Sequence, residues 1–364
     1  MNIDYTNIDY RLLRLLEENP LISLNEISNE LGLSYLTIKK RFELLSEMTD
    51  SYGKRLFFIR TNIFPLKLDF AHHFALIQVK NYSTLAKLEI LFQNYPFVEF
   101  YFRYFGEGYG LFIKFFGPIL LGDYLPILFD LLKSKEPGLC ISNEKSTSKS
   151  ISSTTHLEIN QGLFDLDSVN IKEFFQALER NHEPNCERIN ETSVKLGEYD
   201  LKILSELSIN FRKKNVDISE KIPETSISNI SRRIKYLKEN IITNFQLVLN
   251  PELFINCLPI LLYSTDTNKK EFILRDLIPE KFQFQSFYYP LEQGFIWIIA
   301  YMPRIIIAEF FESLVVFFPS TKLFLVNWKD FHYFQINANV QPFYENDWIK
   351  NHKILIQDPI NSFR

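Results

Sequence analysis

At 364 residues, with 46% hydrophobic and 23% charged side chains, the chain is long enough for two or more domains and too apolar to be disordered as its main state. A formal net charge of -4 excludes attraction of polyanions by bulk positive charge, so a nucleic-acid partner requires a local basic surface. Cys140, Cys186 and Cys257 form neither a CxxC pair nor an even set, which excludes a zinc ribbon or a disulfide framework and fits a reducing cytoplasm.

In chain order, apolar residues Ile8, Leu12, Leu15 and Leu16 recur at helical spacing, with Asp9 near the start, and predict a first helix over 8–19. Ser23 caps a second, with Leu24, Ile27 and Leu31 inward and Gly32 in the turn after it. Ser34 caps a third that runs to about Glu47, with Ile38, Phe42 and Leu45 on its buried face. Two short helices around a glycine turn make a helix-turn-helix, and the Ser-Tyr-Gly turn within Asp50 to Arg60 predicts a β-hairpin wing. An apolar run from Phe74 to Val79, a helix from Ser83 to Gln93, strands at Val98 to Phe105 and Leu111 to Phe116, a helix with Leu125, Leu128, Phe129 and Leu132 inward, and a short strand at Leu139 to Ser142 follow. Asn143 to Thr155, rich in Ser, Thr and Lys, predicts an exposed linker, and a short helix follows near Ile171 to Arg180.

The pattern then repeats. Tyr199 to Leu204 echoes Ile8 to Leu13, and Ser226 to Leu237 lies on Ser34 to Leu45 without a gap, which places Ile230, Ile234 and Leu237 on Ile38, Phe42 and Leu45, and Arg232 and Arg233 on Lys40 and Arg41. Leu258 to Tyr263, a helix capped by Asn268, strands Phe282 to Tyr289 and Phe295 to Met302, a helix bearing Ile307, Phe310, Phe311, Leu314, Phe317 and Phe318, and a strand from Lys322 to Trp328 complete a second βαββαβ order. The expected fold is therefore α+β: two winged helix-turn-helix heads alternating with two ferredoxin-like modules. The expected divisions are 1–66 and 183–253 for the heads, and 67–182 and 254–364 for the modules.

Gly32 to Arg41 in the first copy, Ser231 to Asn240 in the second and the link Leu247-Val248-Leu249-Asn250-Pro251 resemble the Lrp/AsnC family of feast-and-famine regulators. That resemblance implies a chain that pairs its own two modules as an internal pseudo-dimer, alone or in a higher assembly of intact chains, and sets two heads on double-stranded DNA, with transcription machinery as a further partner. Abundant Ile, Asn, Lys, Phe and Tyr point to an AT-rich, prokaryotic genome.

Helix geometry selects the groove residues. With Ile38, Phe42 and Leu45 inward, Leu36, Lys39, Lys40 and Glu43 face out; the second head exposes Ser228, Ser231, Arg232 and Lys235. Arg41 and Arg233 lie nearer the core edge, where they bind phosphate or brace the fold, and Lys54, Arg55 and Arg60 of the wing would meet phosphates. Lys40 and Glu43, three apart, are expected to neutralise one another and weaken the first head. Gly106-Glu107-Gly108-Tyr109-Gly110 opens no helix and predicts a hairpin turn, not a phosphate loop. In the resembling family this turn binds effectors, which makes Gly106, Gly108 and Tyr109 candidate effector residues. The family pattern continues with Asp after the Tyr, where Gly110 stands here, and the second copy has Glu292-Gln293-Gly294, so amino-acid sensing is not expected.

No cofactor, metal or catalytic residue is expected. His72 and His73 read as surface residues ahead of a strand, and His156, His182, His332 and His352 are scattered without nucleophile partners. The chain is thus expected not to be an enzyme. Two alternatives stand beside the regulator: a winged-helix protein scaffold, and an enzyme like the tetrapyrrole decarboxylases that share this architecture, for which Tyr101, Arg103 and His73 are the pocket candidates. No basic-then-apolar leader is seen, and Lys114, Asp123, Arg304, Glu309 and Glu312 interrupt the greasiest stretches, so no membrane span is expected.

Overall fold

The computed structural model describes residues 6–154, 159–160, 163–166, 169–180, 194, 196–197, 199–266, 270–334, 336 and 351–363; Cys186, His156, His182 and the expected cap Asn268 lie outside them. The first repeat runs α1 (Asn7–Glu18), α2 (Leu24–Leu31), α3 (Tyr35–Glu47), β1 (Phe57–Ile63), then β2 (Phe70–Val79), α4 (Tyr82–Gln93), β3 (Val98–Phe105), β4 (Tyr109–Pro118), α5 (Leu121–Lys135) and β5 (Cys140–Ser146). Short strands β6 (Ile151–Ser153), β7 (Ile159–Asn160) and β8 (Leu163–Phe164) and helix α6 (Ile171–Glu179) intervene. The second repeat runs α7 (Asp200–Ile209), α8 (Asn215–Lys221), α9 (Ile227–Asn240), β9 (Ile242–Leu249), then β10 (Cys257–Ser264), α10 (Lys270–Lys281), β11 (Ser286–Pro290), β12 (Phe295–Pro303), α11 (Arg304–Phe317) and β13 (Lys322–Tyr333), with a short α12 (Asp358–Ser362) near the end.

Local chemistry starts the helices where the sequence puts them. Thr6 and Asp9 form a reciprocal capping box on α1, and Ser23 and Glu26 form one on α2. Gly32 takes the left-handed conformation between α2 and α3, with φ of 65°. Ser34 caps α3 by accepting from Thr37 N at 3.2 Å, and Ser226 caps α9 by accepting from Asn229 N at 3.2 Å.

The chain folds into two compact units, and each takes its head from one repeat and its module from the other. In the first unit, residues 1–62 pack with 244–323 and 150–188. Its antiparallel strands lie in the order β10-β12-β11-β6. Head and module are joined by buried polar contacts: Gln285 Nε2 donates to Glu17 Oε1 at 2.9 Å and to Leu247 O at 2.7 Å, while its carbonyl oxygen Oε1 accepts from Leu249 N at 3.1 Å. Tyr301 OH also donates to Glu17 Oε1, at 3.4 Å, and Tyr10 OH donates to Leu253 O at 3.2 Å. A buried amide whose donors and acceptor are all engaged fixes a relative position more sharply than apolar packing does. Phe174 and Phe175 of α6 pack on Phe282, Trp297 and Phe310 to form the aromatic core.

In the second unit, the strands lie in the order β5-β2-β4-β3, and the part of β13 beyond Phe324 runs antiparallel beside β3. Its head is tied to the end of β13 and the chain just after it: Tyr333 OH donates to Ser208 O at 3.3 Å and Ser205 Oγ to Ile336 O at 2.6 Å. Helix α12 docks on α5 through Lys135 Nζ, which donates to Ile360 O at 2.6 Å.

Four expectations change. The segment read as an exposed linker is largely strand: β5 extends to Ser146, and β6 adds to the edge of β11 with Ser153 opposite Ser286. Half-buried edge strands carry polar residues, so composition alone misled there. The strand expected from Phe282 begins at Ser286, just after Gln285, whose side chain reaches the head. The wing is a minimal turn closed by the bridge Thr49 to Arg55, with Asp50 Oδ1 accepting from Tyr52 N and Lys54 N. Strand β1 pairs instead with β9, its counterpart from the second repeat, so Arg60 lies buried in β1 with its guanidinium 4.3 Å from the Phe287 ring centre. It is no wing residue and faces no phosphate.

The two heads share one internal brace. Arg41 Nη1 contacts Asp9 Oδ2 at 3.4 Å across 32 residues, and Arg233 meets Asp200 through both its Nε (2.7 Å to Oδ1) and its Nη2, across 33 residues. Both carboxylates are buried. The Asp200 hydrogen bonds hold the Arg233 guanidinium above its ordinary range. Replacing Arg233 with Gln should cost about 1–3 kcal/mol by leaving a buried carboxylate short of its partner. Arg41→Gln, which removes a longer single contact of a more exposed arginine, should cost less than about 1 kcal/mol. Chemical denaturation of the full chain compares the two.

Candidate nucleic-acid interface

The braces decide which side of each third helix remains outside. In α3, Ile38 and Leu45 are buried, Arg41 turns to Asp9, and Leu36, Lys39, Lys40 and Glu43 are exposed, Leu36 by 67%. In α9, Ile230, Ile234 and Leu237 are buried, Arg233 turns to Asp200, and Ser228, Ser231, Arg232 and Lys235 are exposed. The structure thus brings together on each helix the exposed set that its spacing predicted, and it assigns Arg41 and Arg233 to bracing.

The charges pair differently from expectation. Glu43 lies 3.8 Å from Lys39 at the i, i+4 offset, the geometry in which a helix brings side chains together best, so Lys39 is the one neutralised. Lys40 has no ion pair among the described residues. In α9, Arg232 Nη2 donates to Asn229 Oδ1 at 2.9 Å, which holds the guanidinium over the first turn of the helix. Lys54 and Arg55 sit at the wing turn, with Arg55 exposed and Gly53 at φ of 77°.

The candidate effector turn is closed on itself. Gly106 N donates to Gly108 O at 2.8 Å, Tyr109 stacks on Tyr82 with ring centres 5.8 Å apart, and the Gln78 amide donates to Glu107 O at 3.3 Å. A side chain at Gly110 would begin 2.0 Å from the Ile77 carbonyl oxygen and 2.8 Å from the Tyr104 hydroxyl. Glycine at the place of the family's Asp is therefore a steric requirement of the strand pair.

His72 and His73 are not surface residues. Both lie inside β2, opposite Phe116 and Phe115 of β4, and both are buried. Burial first and the positive Lys145 second push the His73 imidazole down to about 3. Tyr101 and Arg103 gather elsewhere, with α4 and β13: Arg103 holds Glu89 bidentately at 2.6 and 2.7 Å, donates to Tyr82 OH at 3.1 Å and lies 3.5 Å from Asp330. Tyr101 packs on His332 at 4.8 Å, and burial, then the negative charge of Glu89, pushes its hydroxyl up to about 12. Arg103 and Tyr101 come together, while His73 stands with Lys145 at β5. Sequence reasoning missed Glu17 and Gln285; two polar residues 268 positions apart carry no local signal that they meet. Among the described residues, no three His, Cys, Asp or Glu gather as a metal-ligand set, and no helix is long and apolar enough to cross a membrane.

Comparison with known proteins fits this geometry. Residues 6–48 match the family model described as winged helix-turn-helix DNA-binding. Crystal structures of the siroheme decarboxylase NirDL, alone and in complex with an iron-uroporphyrin III analogue, align with 94% of this chain and 98% of theirs, at 10% identity and TM-scores of 0.54 and 0.53. The fold is a tandem Lrp/AsnC-like one. E. coli AsnC itself aligns with 39% of this chain and 91% of its own at 19% identity, with a TM-score of 0.28. No curated protein matches the sequence. The NirDL alignment overturns the expectation that the chain is not an enzyme: an enzyme uses the same tandem fold over its full length, so this architecture gives no ground for excluding catalysis.

His73 supplies a pH test of the buried strand. An imidazole kept neutral in the fold down to about 3, but protonated near 6.5 when unfolded, binds more protons in the unfolded chain between those values. Stability should therefore fall as pH drops below about 6.5, by up to about 1.4 kcal/mol per unit from this residue. His73→Phe should flatten that acid slope in melting temperatures recorded from pH 7 to 4.

Proposed function

We propose that the chain is a sequence-specific double-stranded-DNA-binding transcription regulator that reads with the third helix of each head and most strongly with the second. The observation that carries this reading is the outer face of α9: Ser228, Ser231, Arg232 and Lys235 stand exposed without an acid among them, on a helix whose remaining arginine is already held by Asp200. Arg232 and Lys235 lie one turn apart, and the small serines let the helix approach a groove floor. The first head offers Lys40 beside a Lys39 that is paired with Glu43, and Arg55 at its wing turn adds a phosphate contact.

Arg232→Ala should cost about 1–3 kcal/mol of specific affinity if the guanidinium meets a base edge, or reduce the salt slope by about one if it meets phosphate. Lys40→Ala should cost less, and Glu43→Gln, by releasing Lys39, should strengthen binding. Fluorescence anisotropy on a genome-selected duplex at two salt concentrations measures all three. Equal losses from Arg232→Ala and Lys40→Ala contradict the dominance of the second head, and unchanged binding in both sinks the DNA reading in favour of a protein-binding scaffold.

A second reading rests on the full-length alignment with NirDL: a tetrapyrrole carboxylate chemistry in the modules. Against the residues first named for it, Arg103 is committed to Glu89, and His73 stands apart from Tyr101. Titration of the purified chain with siroheme tests this reading, because a tetrapyrrole site in the modules gives a saturable Soret shift. A saturable shift with release of carbon dioxide would establish the enzyme.

A further inference from the structure

The overlay of the two heads separates what the repeats share from what they do not. The shared positions are the caps Ser34 and Ser226, the buried Ile38 and Ile230, the buried Leu45 and Leu237, and the braced Arg41 and Arg233, whose partners Asp9 and Asp200 also correspond. The four exposed positions all differ: Leu36 against Ser228, Lys39 against Ser231, Lys40 against Arg232, and Glu43 against Lys235, the last with reversed charge. One scaffold carries two unlike reading faces.

The chemistry of each face specifies what it meets. Arg232, steadied by Asn229, suits the paired acceptors of guanine. Leu36 occupies the second residue of α3, where a recognition helix touches base edges with its N-terminal turn. It is 67% exposed, neighbours an exposed Tyr35, and has Lys39 and Lys40 one turn on. An apolar tip with the cation Lys40 one turn on matches one feature of the major groove: the C5-methyl of thymine beside a row of phosphates. Two-fold symmetric proteins select palindromes because their two faces are identical, and these faces are not.

We propose that the target of this chain is an asymmetric duplex site with two unlike halves, a guanine-bearing half read by Arg232 and a thymine half read through its methyl groups by Leu36. The proposal rests on the DNA-binding reading above.

The test starts with selection from a random double-stranded library by the full chain, followed by binding of the selected site with thymine replaced by uracil in one half at a time. The expected result is a motif without inverted symmetry. Uracil in the Leu36 half should weaken binding about three- to tenfold, the contribution of a buried methyl contact. Leu36→Ala should bind the thymine site about as weakly and lose its sensitivity to uracil, while Arg232→Ala relaxes the guanine half alone. Leu36 is exposed, so the variant should keep the wild-type melting temperature. Two inverted copies of one half-site, a motif with no thymine half, or a Leu36→Ala variant that still responds to uracil would each overturn the asymmetry while leaving DNA binding intact. Failure to enrich any duplex would instead sink the regulator reading itself.

Discussion

The ion pair between the first and third helix of each head governs what the heads can present. The apolar stripe of each third helix, Ile38 and Leu45 or Ile230, Ile234 and Leu237, sets which side faces the core by close packing. A buried Asp that takes hold of an Arg on the helix flank adds direction. In the second head the grip is bidentate, from Arg233 to Asp200; in the first it is a single contact from Arg41 to Asp9. The same geometry recurs at corresponding places in a chain whose surface residues have drifted apart, so the brace, more than any reading residue, defines the head as a unit. It also removes one arginine per helix from the solvent face and leaves the remaining side chains to set the chemistry there.

The exchange of heads between modules depends on a second set of polar contacts. Glu17, near the end of α1, accepts from Gln285 and Tyr301, and Asn250 Nδ2 donates to Asp50 Oδ2 at 2.8 Å. Each joins the first head to the second module. The polar atoms would cost several kcal/mol if buried without partners, so the contacts act as keys that select one docking over its alternatives. The pairing of β1 with β9, together with the hydrogen bond from Asn62 Nδ2 to Asn244 Oδ1 at 2.6 Å, adds a third tie between equivalent segments.

The local part of this architecture was legible in the sequence. Capping residues, the glycine between α2 and α3 and the 3.6-residue spacing of Ile38, Phe42 and Leu45 are short-range signals, and the helices begin and end within a residue or two of where they pointed. The repeat itself emerged from register. What could not be read is long-range. Arg60 looks like a wing cation in sequence and is a buried strand residue because β9 arrives from 180 residues away. The Ser- and Lys-rich stretch around β6 looks like a linker because its partner β11 lies beyond Ser286. His73 looked solvated because a lone polar residue ahead of an apolar run usually marks a strand's entrance, whereas β2 began three residues before it. The residues expected on the outer faces of α3 and α9 are exposed, and Glu43 pairs with Lys39 at the i, i+4 offset, a spacing the sequence already held.

The crossing of head and module also sets an order of events during synthesis. The first head is synthesised before the module it docks on, residues 244–323, and the whole of the other module lies between them. At cellular elongation rates that interval lasts tens of seconds, during which Glu17 waits for Gln285 and Tyr301. The second head finds most of its module, residues 63–149, already made, and waits only for the part of β13 beyond Phe324 and the residues after it. Docking of the first head, closed by a contact that spans 268 residues from Glu17 to Gln285, is thus a step of high contact order.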